Sequence, residues 1–382
     1  SNSIKITGDM QQWYKMEMTI NGPESSESAA LNPFLDVRLN VTFTKGDQTF
    51  VVPGFYAADG DAAETSAASG NKWQVRFRPN AAGEWQYNIS FKSGKLIAVN
   101  ENPNTGEALA GDGQSGSFIV GKADADGPFS KGRLQYVGER YLRFESGDYF
   151  LKAGADSPEN FLAYVDFDGT YYAGDKERRL GEAGPNESLH GYAPHAGDWR
   201  DGDPTWQNGK GKNIIGALNY LASKGMNSVY FLTQNFHGDG MDVWPWIDPY
   251  ERTRYDCSKL DQWEIVFDHM DRLGIMLHVV TQETENELLL DNGYTGVTRK
   301  LYYRELIARF GHHLAVTWNL GEENGYARFT PNAQNDDMRR DMATYIKTHD
   351  PYNNFVALHT HSHDEARDAV LTPLVGFEHI NG

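Results

Sequence analysis

Between Trp13 and about Val120, apolar and polar residues alternate in short runs. The stretches 13–20, 37–43, 73–77 and 85–91 each set one apolar face opposite a polar one, with Gly, Pro, Asn and Asp between them. Period-two patterning with that punctuation and no helical period predicts an antiparallel β-sandwich of roughly 100 residues. Residues 80–85 read as a hairpin turn that feeds a core tryptophan, Trp85. No cluster of ionisable groups stands out here, so the region reads as a structural or accessory module.

After a Gly-, Asp- and Ala-rich linker (121–127) and a hairpin-like stretch (134–144), the pattern changes to strand, loop, helix, repeated. Strands are expected at 150–155, 228–232, 275–280, 314–320, 355–358 and 374–377. Amphipathic helices are expected at 213–224, 261–273, 299–310 and 336–349, several of them followed by glycine. Helices alternating with apolar strands predict a parallel sheet wrapped by helices. The polar loops after each strand favour a TIM-type barrel, and no Gly-rich phosphate fingerprint follows the first strand. Six strands are two short of the eight that such a barrel needs. The expectation is therefore a multidomain chain: an all-β Ig-like sandwich over residues 1–122, then a (β/α)8 TIM-type barrel over 123–382 whose last part lies beyond this sequence.

The formal net charge is −18, which argues against a nucleic-acid backbone or an anionic membrane as partner. No apolar run reaches the length of a transmembrane helix. The lone cysteine, Cys257, excludes an internal disulfide framework and a cysteine-based zinc site. Ser1-Asn-Ser3 lacks an initiator methionine and reads as a processed or engineered end. With 9 Trp, 20 Tyr and 19 Phe, the chain has rings to spare for stacking on flat ligands.

The candidate chemistry centres on Leu314-Ala-Val-Thr-Trp-Asn-Leu-Gly-Glu-Glu-Asn-Gly325, an apolar strand that delivers Glu322 and Glu323 where it stops. The bland alternative is a helix N-terminus whose dipole the two glutamates complement. Strand-end carboxylates instead suit cleavage of a glycosidic bond, which needs one carboxylic acid and one carboxylate. Like charges held close raise one pKa, as a general acid requires. Glu378, after the 374–377 strand, is the nucleophile candidate within the chain. Glu283 and Glu285 follow the third strand and Asp156 the first, as substrate-binding or structural groups. Asn319 joins Glu283 and Asp156 among the substrate-binding candidates. Trp199, Trp206, Trp244 and Trp246 fall in the long loops after strands one and two, beside His195 and His237. Any one of these rings either stacks on sugar or pins a loop, but at least one is expected to line a cleft, and Trp206, Trp244, Trp246 and His237 are taken as substrate-binding candidates. In His359-Thr-His-Ser-His363, His359 and His361 share a face of an extended segment, and two imidazoles do not make a metal site. His359 is instead expected as a polar group at the barrel mouth, and His278 as a histidine of the core. Asp239, Asp242 and Asp248 read as solvent-facing loop residues.

The segments Asn21-Gly-Pro23, Asn32-Pro-Phe34, Pro53-Gly-Phe-Tyr56 and Trp73-Gln-Val-Arg-Phe-Arg-Pro79 resemble a β-sandwich known mainly as a domain of unknown function. It precedes glycoside-hydrolase-like barrels in many bacterial polysaccharide-degrading proteins. Residues 152–160 and 318–324 are similar to the accompanying barrels. The wider resemblance is to the retaining glycosidase clan whose acid/base follows strand four, in a Trp-Glu-x-x-Asn-Glu pattern, and whose nucleophile follows strand seven. It implies Glu323 as the acid/base, with Glu322 standing where Asn is usual. The resulting expectation is a secreted or periplasmic glycoside hydrolase that acts on plant or algal oligo- or polysaccharides with retention and needs no cofactor. The rival readings are a non-catalytic glycan-binding protein with a degenerate barrel and a metal-dependent hydrolase or lyase built on the histidines.

Overall fold

The computed structural model describes residues 3–154, 156–174, 189–238, 240–361 and 377–382. Two antiparallel sheets fill the amino-terminal third. One has the strand order Ile4–Gly8, Met16–Ser26, Ser69–Phe77, Phe55–Tyr56. The other runs Gln48–Pro53, Val37–Lys45, Gly83–Ser93, Glu107–Ala108, with Ser115–Val120 also pairing to Gly83–Ser93. Alternation buries Met16, Met18 and Ile20 from one sheet against Val41, Phe43 and Phe91 from the other. Phe43 and Phe77 stack across the gap, with centroids 4.3 Å apart. Trp85 is buried as expected, but residues 80–85 do not close a hairpin. They link the Ser69–Phe77 strand of one sheet to the Gly83–Ser93 strand of the other.

The hairpin at 134–144 forms, with Leu134 opposite Phe144, and Tyr149–Phe150 adds a third antiparallel strand. The expected parallel strand at 150–155 does not form among the described residues. Instead, Leu151–Gly154 lies exposed beside the next strand, and Ala153 exchanges hydrogen bonds with Asn227 (2.7 and 2.8 Å). Four parallel strands follow in chain order: Ser228–Leu232, Met276–Val280, Val316–Asn319 and Phe355–Ala357. Residues 374–376 of the sixth expected strand lie outside the described residues. Gly382 pairs alongside Phe355–Ala357, accepting from the Leu358 N–H (2.9 Å) and donating to the Val356 carbonyl (3.2 Å). No closed barrel is found among the described residues.

Helices Lys212–Ser223, Cys257–Leu273, Val297–Phe310 and Asp336–His349 connect or flank these strands. Asp256 caps Cys257–Leu273 by accepting from the Lys259 N–H, and Gly274 ends it in the left-handed region (φ 72°). Asn335 caps Asp336–His349, whose acidic first turn and basic last turn complement the helix dipole.

Side-chain alternation divides the parallel sheet. Val229, Phe231, Leu277, Val279, Val316 and Trp318 belong to the main apolar core. Tyr230, Leu232 and Val280 form a separate cluster on the opposite face, where His278 and Asn319 also lie. That second face carries the polar groups.

The two modules are interlocked by buried charge. The Arg76 guanidinium contacts Glu17 (3.0 Å), Asp261 (2.9 Å) and Glu264 (2.9 Å). Arg78 reaches Asp271 (2.8 Å) and donates to His312 Nδ1 (3.1 Å). Arg76 in the Ser69–Phe77 strand and Arg78 just past its end thus both reach the Cys257–Leu273 helix.

Candidate active site

The carboxyl ends of the parallel strands gather the ionisable groups. Glu322, just past Val316–Asn319, is fixed by its N–H donating to the Gln282 carbonyl (2.9 Å). Gln282 is itself held by the buried Arg299 guanidinium (2.7 Å) and donates to Gln334 (2.7 Å). Asn324 donates to Gln334 (2.9 Å) and accepts from Arg339 (2.6 Å), locking the far side of the turn. Between them Glu323 takes a left-handed backbone (φ 46°) and is exposed.

Two other carboxylates meet Glu322. Glu159 arrives on the loop after Asp156, whose course is set where the Leu232 N–H donates to the Glu159 carbonyl (2.9 Å). Glu283 follows the Met276–Val280 strand and is buried. Carboxylate oxygens of Glu159, Glu283 and Glu322 lie within 4.8 Å of one another. Gly238 (φ 89°) presses its backbone onto this cluster. A Cβ there would lie 2.5 Å from Glu285 Oε2 and 2.8 Å from Glu283 Oε2.

Below the carboxylates, the Tyr230 hydroxyl donates to Glu322 Oε1 (3.0 Å) and lies 3.0 Å from His359 Nδ1. His278 stands edge-on to the Tyr230 ring, between Lys152 Nζ (3.2 Å from Nδ1) and the Asn319 amide (3.0 Å from Nε2). Burial, then the charges of Lys152 and His359, lower the His278 pKa to about 3, so its ring is neutral. Burial pushes Glu322 the other way, with a hydrogen bond to Glu159 and the charges of Glu159 and Glu323 adding to it. Its pKa is raised to about 9. Burial and the neighbouring carboxylates thus favour a proton shared at the Glu322–Glu159 pair at neutral pH. Glu322 sits among carboxylates it can protonate or be protonated by.

Comparison with known proteins follows from this geometry. Residues 9–92 match the family model described as Domain of unknown function (DUF5060). No curated protein matches the chain. Among solved structures, the chain is similar to a candidate glycoside hydrolase from Bacteroides vulgatus. Identity is 18%, with a TM-score of 0.55 over 92% of this chain and 55% of that one. A family 5 glycoside hydrolase from the same species aligns at 13% identity and a TM-score of 0.36, over 61% of this chain and 40% of that one. The likeness to the first is one of fold. This chain spans about half of that structure's length.

The structure brings together some of the residues expected from sequence and disperses others. Glu322, Glu283, Asn319 and His359 converge. Asp156 lies at the edge, exposed and paired with Lys152 (3.9 Å). His237 is at the rim beside Gly238, with its pKa lowered by burial and by the Arg252 charge. Glu323 faces outward, 3.9 Å from His361 Nδ1. Glu378 sits exposed in a turn where Phe377 accepts from Ile380. It precedes the residues that pair with Phe355–Ala357, so it is not a carboxylate at the end of a described strand.

Trp206, Trp244 and Trp246 are each 1% exposed or less and offer no face to a sugar. Trp206 stacks on Phe167 (5.5 Å) and donates to the Asp166 carbonyl (3.2 Å). Trp244 packs on Tyr171 and under Lys259, and Trp246 on Tyr302. They pin the long loops. The two imidazoles of 359–361 also part company, His359 toward Tyr230 and His361 toward Phe329 (5.6 Å). Asp242 is buried, accepting from Asn160 (3.1 Å) and Asn235 (2.8 Å). Asp239 and His363 lie outside the described residues.

Sequence reasoning missed Glu159 and Tyr230. Tyr230 was open to detection, since it shares parity with Leu232 in a buried strand and carries a hydroxyl on the face where His278 and Asn319 lie. Glu159 lies in the 152–160 segment that resembles glycoside-hydrolase-like barrels, but a loop carboxylate has no period to single it out. Exposed rings in the segments that follow these strands include Tyr250, Tyr294, Tyr326 and Phe329, at 70%, 57%, 65% and 49% exposure. A second cluster with closely spaced ligand atoms, Glu264, Asp268, His312 and His313, lies at the junction of the modules. Arg76 and Arg78 already supply its positive charge.

Proposed function

We propose that this chain belongs to a glycoside hydrolase that cleaves an oligo- or polysaccharide, with Glu322 as the proton donor. One observation carries the reading: a carboxyl group at a parallel strand's end meets two further carboxylates, their oxygens within 4.8 Å of one another, in surroundings that favour its protonated form. Glycosidic cleavage needs that pairing of acid and carboxylate. Glu322 would protonate the leaving oxygen as the anomeric C–O bond breaks. Glu159, the more accessible of its two neighbours, would attack the anomeric carbon. Water would then displace Glu159 with Glu322 acting as base. The carboxylate oxygens lie within 4.8 Å of one another, nearer to the roughly 5–5.5 Å of retention than to the roughly 6.5–9.5 Å of inversion, and the Glu322–Glu159 hydrogen bond would open to admit the sugar.

In this reading the four parallel strands and their helices would be part of a TIM-type barrel joined to the all-β module. Tyr250, Tyr326 and Phe329 are the rings placed to stack on sugar. Glu323, the acid/base implied by resemblance, becomes in this reading an outer carboxylate of the cleft. No helix among the described residues is long and apolar enough to cross a membrane, and a secreted or periplasmic protein fits a polysaccharide substrate.

A reducing-end assay on a panel of plant and algal polysaccharides tests the reading. Release of new reducing ends by the native chain, lost in Glu322→Gln, supports it. Saccharide binding without turnover would favour a glycan-binding protein instead, a reading to which the three exposed rings also lend themselves.

A further inference from the structure

We propose that Tyr230 is a positioning residue that holds Glu322 and His359 in register and sets when Glu322 gives up its proton. The inference rests on Glu322 being the acid, and it adds a residue for which strand patterning predicted no role.

The geometry is specific. Tyr230 is 2% exposed, and its ring is held edge-on against His278 at 4.8 Å, so the hydroxyl has little freedom. That hydroxyl lies 3.0 Å from both Glu322 Oε1 and His359 Nδ1. A phenol has one proton and can donate to only one of them. When Glu322 is ionised, the hydroxyl donates to Oε1, and His359 must present Nδ1–H to the phenolic oxygen. When Glu322 carries its own proton, Oε1 is the poorer acceptor and the phenolic proton is released toward His359. Tyr230 thus couples the protonation of one group to the tautomer of the other.

The titratable groups around this bridge are Glu159, Glu283, Glu323, Asp156, Lys152 and His278. The nearby carboxylates and burial favour the protonated form of Glu322. The Tyr230 hydroxyl is the neighbour that favours its anion. Removing the hydroxyl should therefore make Glu322 a weaker acid. A hydrogen bond to a charged group, at about 1.5–3 kcal/mol, corresponds to a shift of roughly one to two pKa units.

The test is Tyr230→Phe, which keeps the ring against His278. Its readout is the titration of Glu322 followed by carbon NMR in protein labelled at glutamate carboxyls, with Glu322→Gln to assign the signal. The expected result is a midpoint about one unit or more above that of the native chain, with no loss of near-ultraviolet circular dichroism. His359→Leu, which leaves the phenolic oxygen without that donor, should move the midpoint in the same direction by less, and it keeps the test available if the phenylalanine variant does not fold. An unchanged midpoint in either folded variant overturns the proposal. In the glycosidase assay, Tyr230→Phe should lower kcat more than it raises KM and move the alkaline limb upward. Because the titration needs no substrate, inactivity of the native chain on every polysaccharide would count against the glycosidase reading and leave the bridge to stand or fall on the NMR result.

Discussion

Arg76 of the amino-terminal sheets lies 2.9 Å from Glu264 of the Cys257–Leu273 helix, and both side chains are 4% exposed. A pair so deeply buried contributes little net stability when intact, but removing one partner strands the other charge. Arg76→Ala should therefore destabilise the protein by about 3–5 kcal/mol. Denaturant unfolding followed by tryptophan fluorescence checks this. The native chain should unfold in one transition, because the ion pairs, together with Arg304 bonded to the Leu39 carbonyl (2.8 Å), join the two modules. Two separate transitions would show that the modules are independent.

Stability should fall as pH rises from about 6.5 to about 8, the window between two opposing effects. Burial lowers His278 to about 3, which favours folding as pH climbs to about 6.5, and lowers Lys259 to about 8, which does the same above that value. Glu322 is raised to about 9, and Glu27 and Glu287 to about 7, by burial first in each case. Each takes up its proton more readily folded than unfolded. The stability it contributes is full below the unfolded value and lost as pH climbs through the folded one. His313 acts in the same direction: Glu264 and Asp271 overcome the lowering effect of burial and raise it to about 9. Thermal melts across this range should show Tm declining toward the alkaline end.

Glu322→Gln should separate catalysis from folding. An amide resembles the protonated carboxyl in shape and charge, so the variant should match or exceed the native Tm at pH 8. Turnover should drop by about 10²–10⁴-fold, the usual contribution of a general acid. Glu323→Gln, at an exposed position, should leave most of the turnover intact. The reverse ranking of the two variants would return the acid role to Glu323.

Trp206→Ala should cost about 3–5 kcal/mol of stability, as expected for a buried indole. KM for any substrate should change less than for Tyr326→Ala. Equilibrium unfolding and saturation kinetics on the same two variants distinguish the loop-pinning ring from the exposed one.

Gly238→Ala should be destabilising by more than about 1 kcal/mol, since alanine is strained at φ 89° and its Cβ would press on two carboxylates. Chemical denaturation measures the loss.

The helices and parallel strands were legible because burial on one side or both leaves a period in the text. The expected helix at 336–349 is present as Asp336–His349, and strands form at four of the six expected places. The 150–155 stretch misled because Phe150 satisfies an antiparallel partner while the residues after it lie beside Asn227. The site was legible only where strand ends deliver a residue. Glu322 and Glu283 were in view, whereas Glu159 is brought in by a loop whose path depends on backbone bonds to Leu232. Adjacent glutamates gave no hint of which would be buried. That is decided by the Gln282 carbonyl, which takes the Glu322 N–H, and by the left-handed turn at Glu323. The tryptophans were misjudged because long loops rich in indole have the same composition whether the rings face a ligand or the core.

The most direct test is the titration of the Glu322 carboxyl in the native chain, by carbon NMR with Glu322→Gln for assignment. A midpoint near 9 is the predicted result. A midpoint between about 4 and 5, where an ordinary glutamate titrates, would contradict it and remove the proton donor on which the proposed chemistry depends.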